Sequence, residues 1–374
     1  MRAETEIFGY ADELGPEKVV HFHDPKLNLR AILVVDNTAL GPAMGGTRML
    51  PDVTTAEVFR LARAMTLKNA AAGLPYGGGK GGIMADPSVP NKDELIRAYA
   101  KFLRSHSDYI PGPDMGTNEH CMAIIFDEIG RAVGLPRELG GIPMDEAGVT
   151  GYGVGEACEV AAGYINLQLG GATAAIEGFG AVGQAVFRSL GGKGVKVVAV
   201  SDINGAIYNP NGLDYDALIT REPETGKVSK LWNRKHKDGQ VLDRGELFKL
   251  DANILVPGAR PDAITMENVS GLKAKMVVEA ANIPVSREAE KYLGDKGILI
   301  VPDFIANSGS TIAAVVELRR GTLGEAFQAI KRKIRENVQI VLDLAHKEKL
   351  YPREAGEMLA RERVIAAMKD RGRI

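Results

Sequence analysis

Two lysines twelve residues apart are the side chains of this sequence best suited to chemistry. Lys80 lies at the centre of GGGKGG, residues 77–82, and Lys68 lies in MTLKN, residues 65–69. Glycine loses more backbone entropy on folding than any other residue, so five glycines around one ammonium group indicate that backbone passes very close to something. Burial and a second nearby cation both favour the neutral amine. We therefore predict that Lys80 acts as an acid or base near neutral pH.

Two further motifs in the first third of the chain fit the same chemistry. They are GPAMGGTR, residues 41–48, and PGPDMGT, residues 111–117, which contains Asp114. A carboxylate needs a fixed cation, and carbonyl or imine chemistry needs an acid and a base, so this set suits a small anionic substrate. His21 and His23 share one face of a predicted strand but have no third ligand nearby, and we expect no metal site.

A third glycine-rich motif, GFGAVG at residues 178–183, predicts a dinucleotide site. It follows a predicted strand, begins a predicted helix, and precedes a second strand that ends beside Asp202. In that context G-x-G-x-x-G holds a pyrophosphate at a helix N-terminus. The Asp202 carboxylate can accept hydrogen bonds from ribose hydroxyls and would repel a 2′-phosphate, which favours NAD over NADP. The cofactor contacts expected here are Gly178, Phe179, Gly180, Ala181, Val182, Gly183, Asp202 and Ile203.

The elements that must position these residues form two α/β regions. In the first region, a helix at 54–73 carries Lys68 and is capped by Thr54 or Thr55. From about residue 150, strand–helix–strand units predict a parallel sheet, and the polar residues 205–245 predict a surface excursion with a short helix near 214–220. The other predicted elements are strands at 19–23, 29–35, 172–177, 195–201, 253–256, 276–279 and 298–301, and helices at 95–103, 121–132, 150–169, 182–190, 322–347 and 352–370.

Length and composition bound the class of protein. The 374 residues suffice for two domains, and 45% hydrophobic with 25% charged residues is typical of a soluble globular protein. A net charge of -2 offers no basic excess for nucleic acid or an anionic membrane. The two cysteines lack zinc spacing and are too few for a disulfide scaffold. We find no signal peptide and no membrane-spanning run, and expect a cytoplasmic protein without nucleic-acid or membrane partners.

Taken in order, the motifs resemble those of the glutamate/leucine/phenylalanine/valine dehydrogenase family across nearly the whole chain. The resemblance extends beyond the motifs above to TGYGV at 150–154, AAN at 280–282, PD at 302–303 and NSG at 307–309. It implies reversible NAD(P)-dependent oxidative deamination of an L-amino acid to a 2-oxo acid and ammonia. It also implies a homo-oligomer, either a hexamer or an octamer.

The fold that the resemblance implies is α/β with two domains. We expect a substrate-binding and oligomerisation domain at residues 1–147 and a Rossmann NAD-binding domain at 148–345. A C-terminal helix at 346–374 is expected to pack back onto the first domain. The active site is expected in the cleft between the domains, where closure would exclude water.

The resemblance also implies roles for the residues that could touch substrate. Lys68 would bind the substrate α-carboxylate, Lys80 would assist water attack on the imine, and Asp114 would shuttle protons. Structural roles remain open beside these: Lys68 could extend to solvent, and Asp114 could serve a turn. Arg48 is expected to form an ion pair rather than to act in catalysis.

A second set of implied roles concerns the nicotinamide end of the cofactor. Thr150 and Asn282 would lie near the nicotinamide ribose, with Ala280 beside them. Asn307 would lie near both nicotinamide and substrate. Thr150 is also a good helix N-cap, and Asn307 could cap the helix that follows it.

Substrate choice is where the sequence departs from glutamate-specific members. Met44 stands where a lysine would pair with the substrate side-chain carboxylate, and Ala314 stands where a serine would assist. A carboxylate buried there without a partner would cost roughly several kcal/mol, so we predict a hydrophobic L-amino acid such as leucine, valine or phenylalanine. The substrate contacts expected in all are Lys68, Met44, Gly45, Met65, Gly112, Thr311, Ala314 and Asn307.

Three alternatives stay open. The GGGKGG run and IYNPNGLD, residues 207–214, are more typical of glutamate-specific members, so a glutamate dehydrogenase with an atypical side-chain pocket is one. A non-catalytic paralogue, kept as a regulatory or assembly subunit, is another. A hydroxy-acid dehydrogenase is the third, although paired lysines argue against that chemistry, which usually requires a histidine or arginine constellation.

Overall fold

The computed structural model describes residue 9, residues 11–219 and residues 239–374. The internal contacts of the chain divide it into two compact units. Unit 1 comprises Met1–Pro143, Thr311–Ala326 and Glu357–Ile374, and unit 2 comprises Met144–Ser310 and Phe327–Gly356. The predicted boundaries differ from this division late in the chain, because residues 311–326 belong to unit 1 and residues 346–356 belong to unit 2.

Unit 1 is built on a five-stranded mixed sheet in the order β1-β2-β4-β3-β5. Strand β2 pairs antiparallel with β1 and β4, whereas β3 lies parallel to both β4 and β5. The strands are β1 (Lys18–Asp24), β2 (Leu29–Asn37), β3 (Ala43–Met49), β4 (Gly77–Ile83) and β5 (Tyr109–Pro113).

Three of these strands carry the chemistry-bearing motifs, which the sequence did not predict to be strands. Strands β3, β4 and β5 contain the GPAMGGTR, GGGKGG and PGPDMGT motifs in part or in full. Glycine and proline are depleted in strands, so motifs this rich in the two residues do not predict β-strands. Strand β4 is sustained instead by pairing with β2 on one side and β3 on the other.

The helices of unit 1 cover the two faces of this sheet. They are α1 (Thr55–Ala71), α2 (Lys92–Leu103) and α3 (Glu119–Ile129). Of the two predicted caps, Thr54 is the N-cap of α1, because its side chain accepts a hydrogen bond of 3.2 Å from the backbone N–H of Glu57, whereas Thr55 is the first residue of the helix. The helix is thereby anchored at its N-terminal end, a turn before the residues that pack on the sheet.

The glycines of β4 are explained by how closely its neighbours approach. A Cβ on Gly78 would lie 2.1 Å from the backbone nitrogen of Thr66 in α1, and a Cβ on Gly81 would lie 2.3 Å from the hydroxyl of Tyr99 in α2. Successive residues of a strand face opposite sides of the sheet, so the absence of side chains lets both helices approach the strand. All seven residues of β4 are buried.

Unit 2 contains a seven-stranded sheet in the order β12-β11-β10-β6-β7-β8-β9. The first five strands in that order are parallel, as predicted, and β8 and β9 add an antiparallel edge. The strands are β6 (Thr173–Glu177), β7 (Lys196–Asp202), β8 (Gly205–Tyr208), β9 (Gln240–Leu242), β10 (Ile254–Pro257), β11 (Met276–Val278) and β12 (Leu299–Val301).

The prediction of a surface excursion at 205–245 is wrong at both ends of that segment. Strand β8 buries Ala206 and Ile207 and pairs with β7, and β9 pairs with β8. The few apolar residues there were enough to extend the sheet because an existing edge strand supplied the hydrogen bonds. Residues 220–238 of the predicted excursion lie outside the described residues.

The remaining helices follow in chain order. Helix α5 begins at Val149 with Gly148 in the cap position, so the N-cap interpretation of Thr150 is wrong and Thr150 lies within the first turn. No helix in the described residues has both the length and the hydropathy of a membrane span. The helices are α4 (Met144–Ala147), α5 (Val149–Tyr164), α6 (Ala181–Gly191), α7 (Tyr215–Leu218), α8 (Arg287–Asp295), α9 (Asp303–Ala306), α10 (Gly309–Leu318), α11 (Leu323–Glu348) and α12 (Pro352–Asp370).

Late segments of the chain complete unit 1. The Arg363 guanidinium in α12 donates hydrogen bonds of 3.0 Å and 2.9 Å to the carbonyls of Ala70 and Ala71, at the C-terminal end of α1. A cation at that position adds hydrogen bonds to carbonyls at the end of the helix and complements the helix dipole. The helix that carries Lys68 is therefore held at its end by a residue from the last helix.

Candidate active site

The structure places Lys80, Asp114 and Arg48 in one partly buried ion-pair network. The Lys80 Nζ lies 2.8 Å from Oδ2 of Asp114, and Nε of Arg48 lies 3.0 Å from the same oxygen. A second nitrogen of Arg48 contacts Glu57 of α1 at 2.5 Å. The aspartate thus sits between two cations, and Arg48 forms ion pairs as the sequence predicted.

Burial sets the protonation of Lys80. The pKa of Lys80 is lowered from its usual value, because burial disfavours the charged form and the Arg48 cation adds to this, while Asp114 opposes both. Burial alone would raise the pKa of Asp114, but Lys80 and then Arg48 outweigh it and hold that pKa below its usual value. The pair combines an amine that releases its proton unusually easily with a carboxylate that stays ionised.

A tight turn fixes the Asp114 side chain. Its backbone N–H donates to Oγ1 of Thr117 at 2.9 Å, and its carbonyl accepts from the Thr117 N–H at 2.9 Å. Gly116 has a φ of +81°, and a Cβ there would lie 1.9 Å from the carbonyl oxygen of Met49. Asp114 therefore begins a turn and contacts Lys80 at the same time, so the two roles considered for it are compatible.

Two adjacent glycines of β3 lie against Met65 and Lys80. A Cβ on Gly45 would lie 3.2 Å from Cγ of Met65, and a Cβ on Gly46 would lie 3.2 Å from Nζ of Lys80. Lys68 is half-buried in the last turn of α1, one turn beyond Met65. Residues three apart on a helix share a face, so the last turn of α1 presents Lys68 on the side of Met65.

The residues predicted to line the side-chain pocket are buried or half-buried parts of unit 1. Met44 in β3 is 2% exposed, and Ala314 in α10 is 5% exposed. A Cβ on Gly112 would lie 2.9 Å from Cγ2 of Val133, so Gly112 allows close packing against that valine. Thr311 is half-buried in the same helix as Ala314.

The GFGAVG motif forms the turn between β6 and α6. Gly178 has a φ of +92°, and its N–H donates to Oγ of Ser201 at 3.2 Å. A Cβ on Gly183 would lie 1.8 Å from the carbonyl oxygen of Gly178, so only glycine lets the helix approach the strand this closely. The Phe179 ring is buried, and Ala181 and Val182 form the first turn of α6.

Gly180 differs from these two glycines in having open space around it. No atom of the described residues lies within 4 Å of a Cβ built there, and Gly180 caps α6 without a side-chain hydrogen bond. The first N–H groups of the helix are thus oriented toward a region free of protein side chains, as a pyrophosphate requires. These residues fit a dinucleotide.

Asp202 lies at the C-terminal end of β7, where the adenosine ribose is expected. Its Oδ1 accepts a hydrogen bond of 2.8 Å from the N–H of Asn204, which fixes the carboxylate at the start of the turn between β7 and β8. The neighbouring Ile203 side chain is strongly exposed. Asp202 is the last residue of β7, the strand that follows the glycine motif in the chain and lies next to β6 in the sheet. Ile203 comes directly after it.

The residues predicted for the nicotinamide end lie in two clusters in unit 2. The Asn307 side-chain nitrogen donates to the carbonyls of Ala280 and Ala281 at 3.3 Å and 3.1 Å, and to Oδ1 of Asn282 at 3.1 Å. The structure therefore brings Asn307 into contact with residues that lie 25 to 27 positions earlier in the chain.

Thr150 forms the second of these clusters. Its hydroxyl lies 2.5 Å from the hydroxyl of Ser310, which is near Asn307 in sequence. Gly309 comes directly before Ser310 in the sequence. A Cβ there would lie 2.4 Å from the carbonyl oxygen of Val149, so the first turns of α5 and α10 are in direct contact.

Sequence reasoning missed several residues that hold these segments. Glu317 in α10 is buried and accepts hydrogen bonds from the N–H groups of Leu135 and Ile142 at 3.1 Å and 2.8 Å. Glu279, at the end of β11, joins a buried network with Arg353. A glutamate that ends an apolar strand was the available signal, because a buried carboxylate requires partners.

The sequence matches two family models that together cover most of the chain. Residues 16–131 match the model of the Glu/Leu/Phe/Val dehydrogenase dimerisation domain, and residues 140–372 match that of Glutamate/Leucine/Phenylalanine/Valine dehydrogenase. The NAD-specific glutamate dehydrogenase of Staphylococcus aureus is 37% identical over 90% of this chain and 84% of its own length.

Solved structures give the same result. The hetero-hexameric glutamate dehydrogenase from Thermus thermophilus in a Leu-bound form is similar with a TM-score of 0.83 and 31% identity, covering 97% of this chain and 92% of that one. The L-tryptophan dehydrogenase from Nostoc punctiforme is similar with a TM-score of 0.75 and 26% identity, covering 97% and 99%.

The two-unit fold, the glycine motif and these similarities define an amino acid dehydrogenase, an oxidoreductase that uses a nicotinamide cofactor. The chain belongs to the glutamate/leucine/phenylalanine/valine dehydrogenase family, as the sequence motifs predicted. The relatives named above act, by their names, on glutamate and on tryptophan, so family membership leaves the preferred side chain open.

Proposed function

We propose that this protein catalyses the reversible, NAD-dependent oxidative deamination of a hydrophobic L-amino acid to the 2-oxo acid and ammonia. The observation that carries the chemistry is the 2.8 Å contact between Lys80, in the buried strand β4, and Asp114, in the turn that follows β5. An amine with a lowered pKa beside an ionised carboxylate is suited to move protons near neutral pH.

Each polar group has a proposed role at a stated atom. The Lys68 ammonium binds the substrate α-carboxylate and orients the Cα. When bound, NAD accepts the hydride that leaves this Cα. The neutral Nζ of Lys80 then takes a proton from the water that attacks the imine carbon, and the Asp114 carboxylate receives protons and returns them as ammonia departs.

In this proposal, different segments of unit 2 contact different parts of the cofactor. The backbone of 178–183 and the N-terminus of α6 hold the pyrophosphate, and Asp202 holds the adenosine ribose. Thr150, Ala280, Asn282 and Asn307 surround the nicotinamide ribose. The Asp202 carboxylate favours NAD over NADP, because it would repel a 2′-phosphate.

A hydrophobic side chain is proposed because the predicted pocket offers no cation. Met44 and Ala314 are buried and apolar, and a γ-carboxylate against them would lose its hydration without an ion pair. The similarity to a tryptophan dehydrogenase supports an apolar substrate.

Glutamate is the second candidate substrate. Two of the three relatives described above are named glutamate dehydrogenases, including the one that is 37% identical to this chain. A non-catalytic subunit is a weaker candidate, since Lys80 and Asp114 are both present and paired.

A panel assay of each L-amino acid with NAD, and then with NADP, tests the proposal. We expect NADH production with leucine, valine or phenylalanine and little with glutamate. Glutamate as the best substrate would overturn the proposed side chain and keep the reaction. Turnover of hydroxy acids, or cofactor binding without turnover of any amino acid, would overturn the reaction itself.

A double variant probes the side-chain pocket directly. Met44→Lys with Ala314→Ser restores the cation and hydroxyl that a γ-carboxylate requires, and we expect glutamate turnover to rise relative to wild type. The single Ala314→Ser variant is the control, because it supplies no charge. If the double variant gains no glutamate activity while remaining folded, the proposed pocket is wrong.

We also propose a homo-oligomer, a hexamer or an octamer, on the match of residues 16–131 to the dimerisation-domain model. Light scattering on the purified protein measures the mass in solution. A monomer at micromolar concentration would contradict the proposal.

A further inference from the structure

Arg353, at the start of α12, is a buried arginine with three carboxylate partners. Its Nε lies 2.7 Å from Glu290, and its two terminal nitrogens lie 2.7 Å from Glu279 and 2.9 Å from Asp303. Charges removed from water in this way are often no more stabilising than apolar residues would be. The arrangement therefore calls for an explanation other than stability.

Hydrogen bonds link this network to two backbone segments. Oδ2 of Asp303 accepts a hydrogen bond of 2.8 Å from the Ile283 N–H, and Oε2 of Glu279 accepts one of 2.9 Å from the Asp303 N–H. The carbonyl of Asp303 accepts from the Asn307 N–H at 2.8 Å. Residues 279–283 and 303–307 are thus held against each other, with the Arg353 guanidinium at the base of both.

The far ends of the same two segments are joined by Asn307. Its side-chain nitrogen reaches two carbonyls and the Asn282 amide oxygen, as described above. The network and Asn307 form a closed loop of polar contacts around the 279–283 turn, in which Ile283 has a φ of +49°. A β-branched residue in that conformation is strained and persists only where its surroundings fix it.

We propose that Arg353 is a positioning residue for the nicotinamide end of the cofactor. Arg353 binds the carboxylates of both Glu279 and Asp303. It therefore fixes the turn that carries Asn282 and also fixes the position of Asn307. The inference rests on the proposed function, which assigns Asn282 and Asn307 to the nicotinamide ribose. Arg353 itself touches neither substrate nor cofactor in this proposal.

The protonation of Glu279 is consistent with this arrangement. Burial, together with the charges of Asp303 and Glu290, raises the pKa of Glu279 well above its usual value, although Arg353 opposes the shift. A proton on Glu279 reduces the negative charge that one arginine must balance.

Arg335 provides a matched control within unit 2. It also pairs with two carboxylates, at 3.1 Å from Glu156 and 2.9 Å from Glu159. Its side chain is 36% exposed, compared with 9% for Arg353. Its carboxylate partners lie on α5 rather than on the turn at 279–283.

The experiment compares two ligands that differ only at the nicotinamide end. NADH and ADP are titrated by calorimetry against wild type, Arg353→Lys, Asp303→Asn and Arg335→Lys, with a thermal melt of each. ADP has the adenosine and pyrophosphate but lacks both the nicotinamide and its ribose. We expect Arg353→Lys and Asp303→Asn to raise the Kd for NADH about tenfold, and to raise KM for NAD more than they lower kcat.

The same variants should bind ADP within about twofold of wild type, and Arg335→Lys should bind both ligands normally. Equal weakening of NADH and ADP would overturn the inference, as would unchanged NADH binding by the folded variants. If Arg353→Lys does not fold, Asp303→Asn decides the result, and failure of both to fold makes the network purely structural. A wild type that binds NADH normally but deaminates nothing would refute the proposed function and leave this inference intact.

Discussion

Two of the glycine-rich motifs of this protein, GGGKGG and GFGAVG, use the same residue for opposite reasons. In β4, the glycines at 77–82 all have extended backbone, and each would place a Cβ within 3.0 Å of neighbouring protein atoms. In the turn after β6, Gly178 requires a positive φ, and Gly180 has no described protein atom within 4 Å of its Cβ position. The first set is filled by the protein itself, and the second leaves space for a ligand.

This difference separates two meanings of a glycine run in a sequence. The glycines around Lys80 let helices pack closely against β4, so that the Lys80 side chain is almost completely buried. Their effect on the chemistry therefore acts through burial. The run at 178–183 leaves backbone N–H groups at the start of α6 for the proposed pyrophosphate, so we expect its effect to act through binding. Substitutions in the two runs should therefore fail in different assays.

The largest effect is expected from removing the lysine inside the first run. Lys80→Ala should lower the deamination rate about 10²- to 10⁴-fold, because it removes the acid–base group, and should leave the Kd for NADH unchanged. Initial rates and calorimetric titration measure the two quantities. Lys18→Ala is the control, since Lys18 also contacts an aspartate, Asp108 at 2.6 Å, but is 40% exposed. Parallel loss of rate and NADH binding would mean that Lys80 is structural.

The next largest effect is on stability. Gly78→Ala should destabilise the protein by about 1–3 kcal/mol, because its Cβ would meet the backbone of Thr66, which cannot rotate away. Denaturant unfolding of the variant and of Gly163→Ala provides the measurement, as Gly163 is a helical glycine with no atom within 4 Å of its Cβ position. Equal stability of Gly78→Ala and wild type would refute the packing explanation of the β4 glycines.

Gly180→Ala should show the reverse pattern. We expect its stability to stay within about 0.5 kcal/mol of wild type, because the Cβ enters open space. The Kd for NADH should rise about tenfold, since the methyl group occupies the approach to the pyrophosphate, equivalent to about 1.4 kcal/mol. Normal NADH binding by this variant would remove the distinction between the two glycine runs.

The smallest effect is a shift in pH dependence. The pKa of Lys80 is lowered by burial and by the Arg48 cation, and neutral Lys80 is the proposed active form, so deamination should rise with pH through that pKa. Arg48→Gln removes a positive charge and should raise the Lys80 pKa, moving the rise in kcat/KM to higher pH. Arg97→Gln, which alters a surface ion pair in the same unit, should not move it. A shift to lower pH would contradict the electrostatic account.

Much of the architecture could be predicted from the sequence because its patterns are local. The βαβ unit around 178–183 and helices α11 and α12 have the periodicity and end signals that single segments carry. The family motifs predicted Lys80 and Asp114 as partners, and the structure places them in contact.

The rest depended on contacts between distant residues. Strands β3, β4 and β5 have poor intrinsic strand propensity and exist because each is paired with a neighbour, which no local pattern shows. The assignment of residues 311–326 to unit 1 likewise follows from long-range contacts. Arg353 gave no signal at all in the sequence, since its three carboxylate partners lie 50 or more positions away.

The hydrogen bonds from Arg363 to the carbonyls of Ala70 and Ala71 join residues that lie 293 and 292 positions apart in the chain. A growing polypeptide emerges from the ribosome N-terminal end first. The Arg363 hydrogen bonds to the end of helix α1 therefore cannot form until all of unit 2 has been translated. The helix end that carries Lys68, the proposed binding residue for the substrate α-carboxylate, is in this sense completed late, and a premature stop shortly before residue 363 would leave it without these hydrogen bonds.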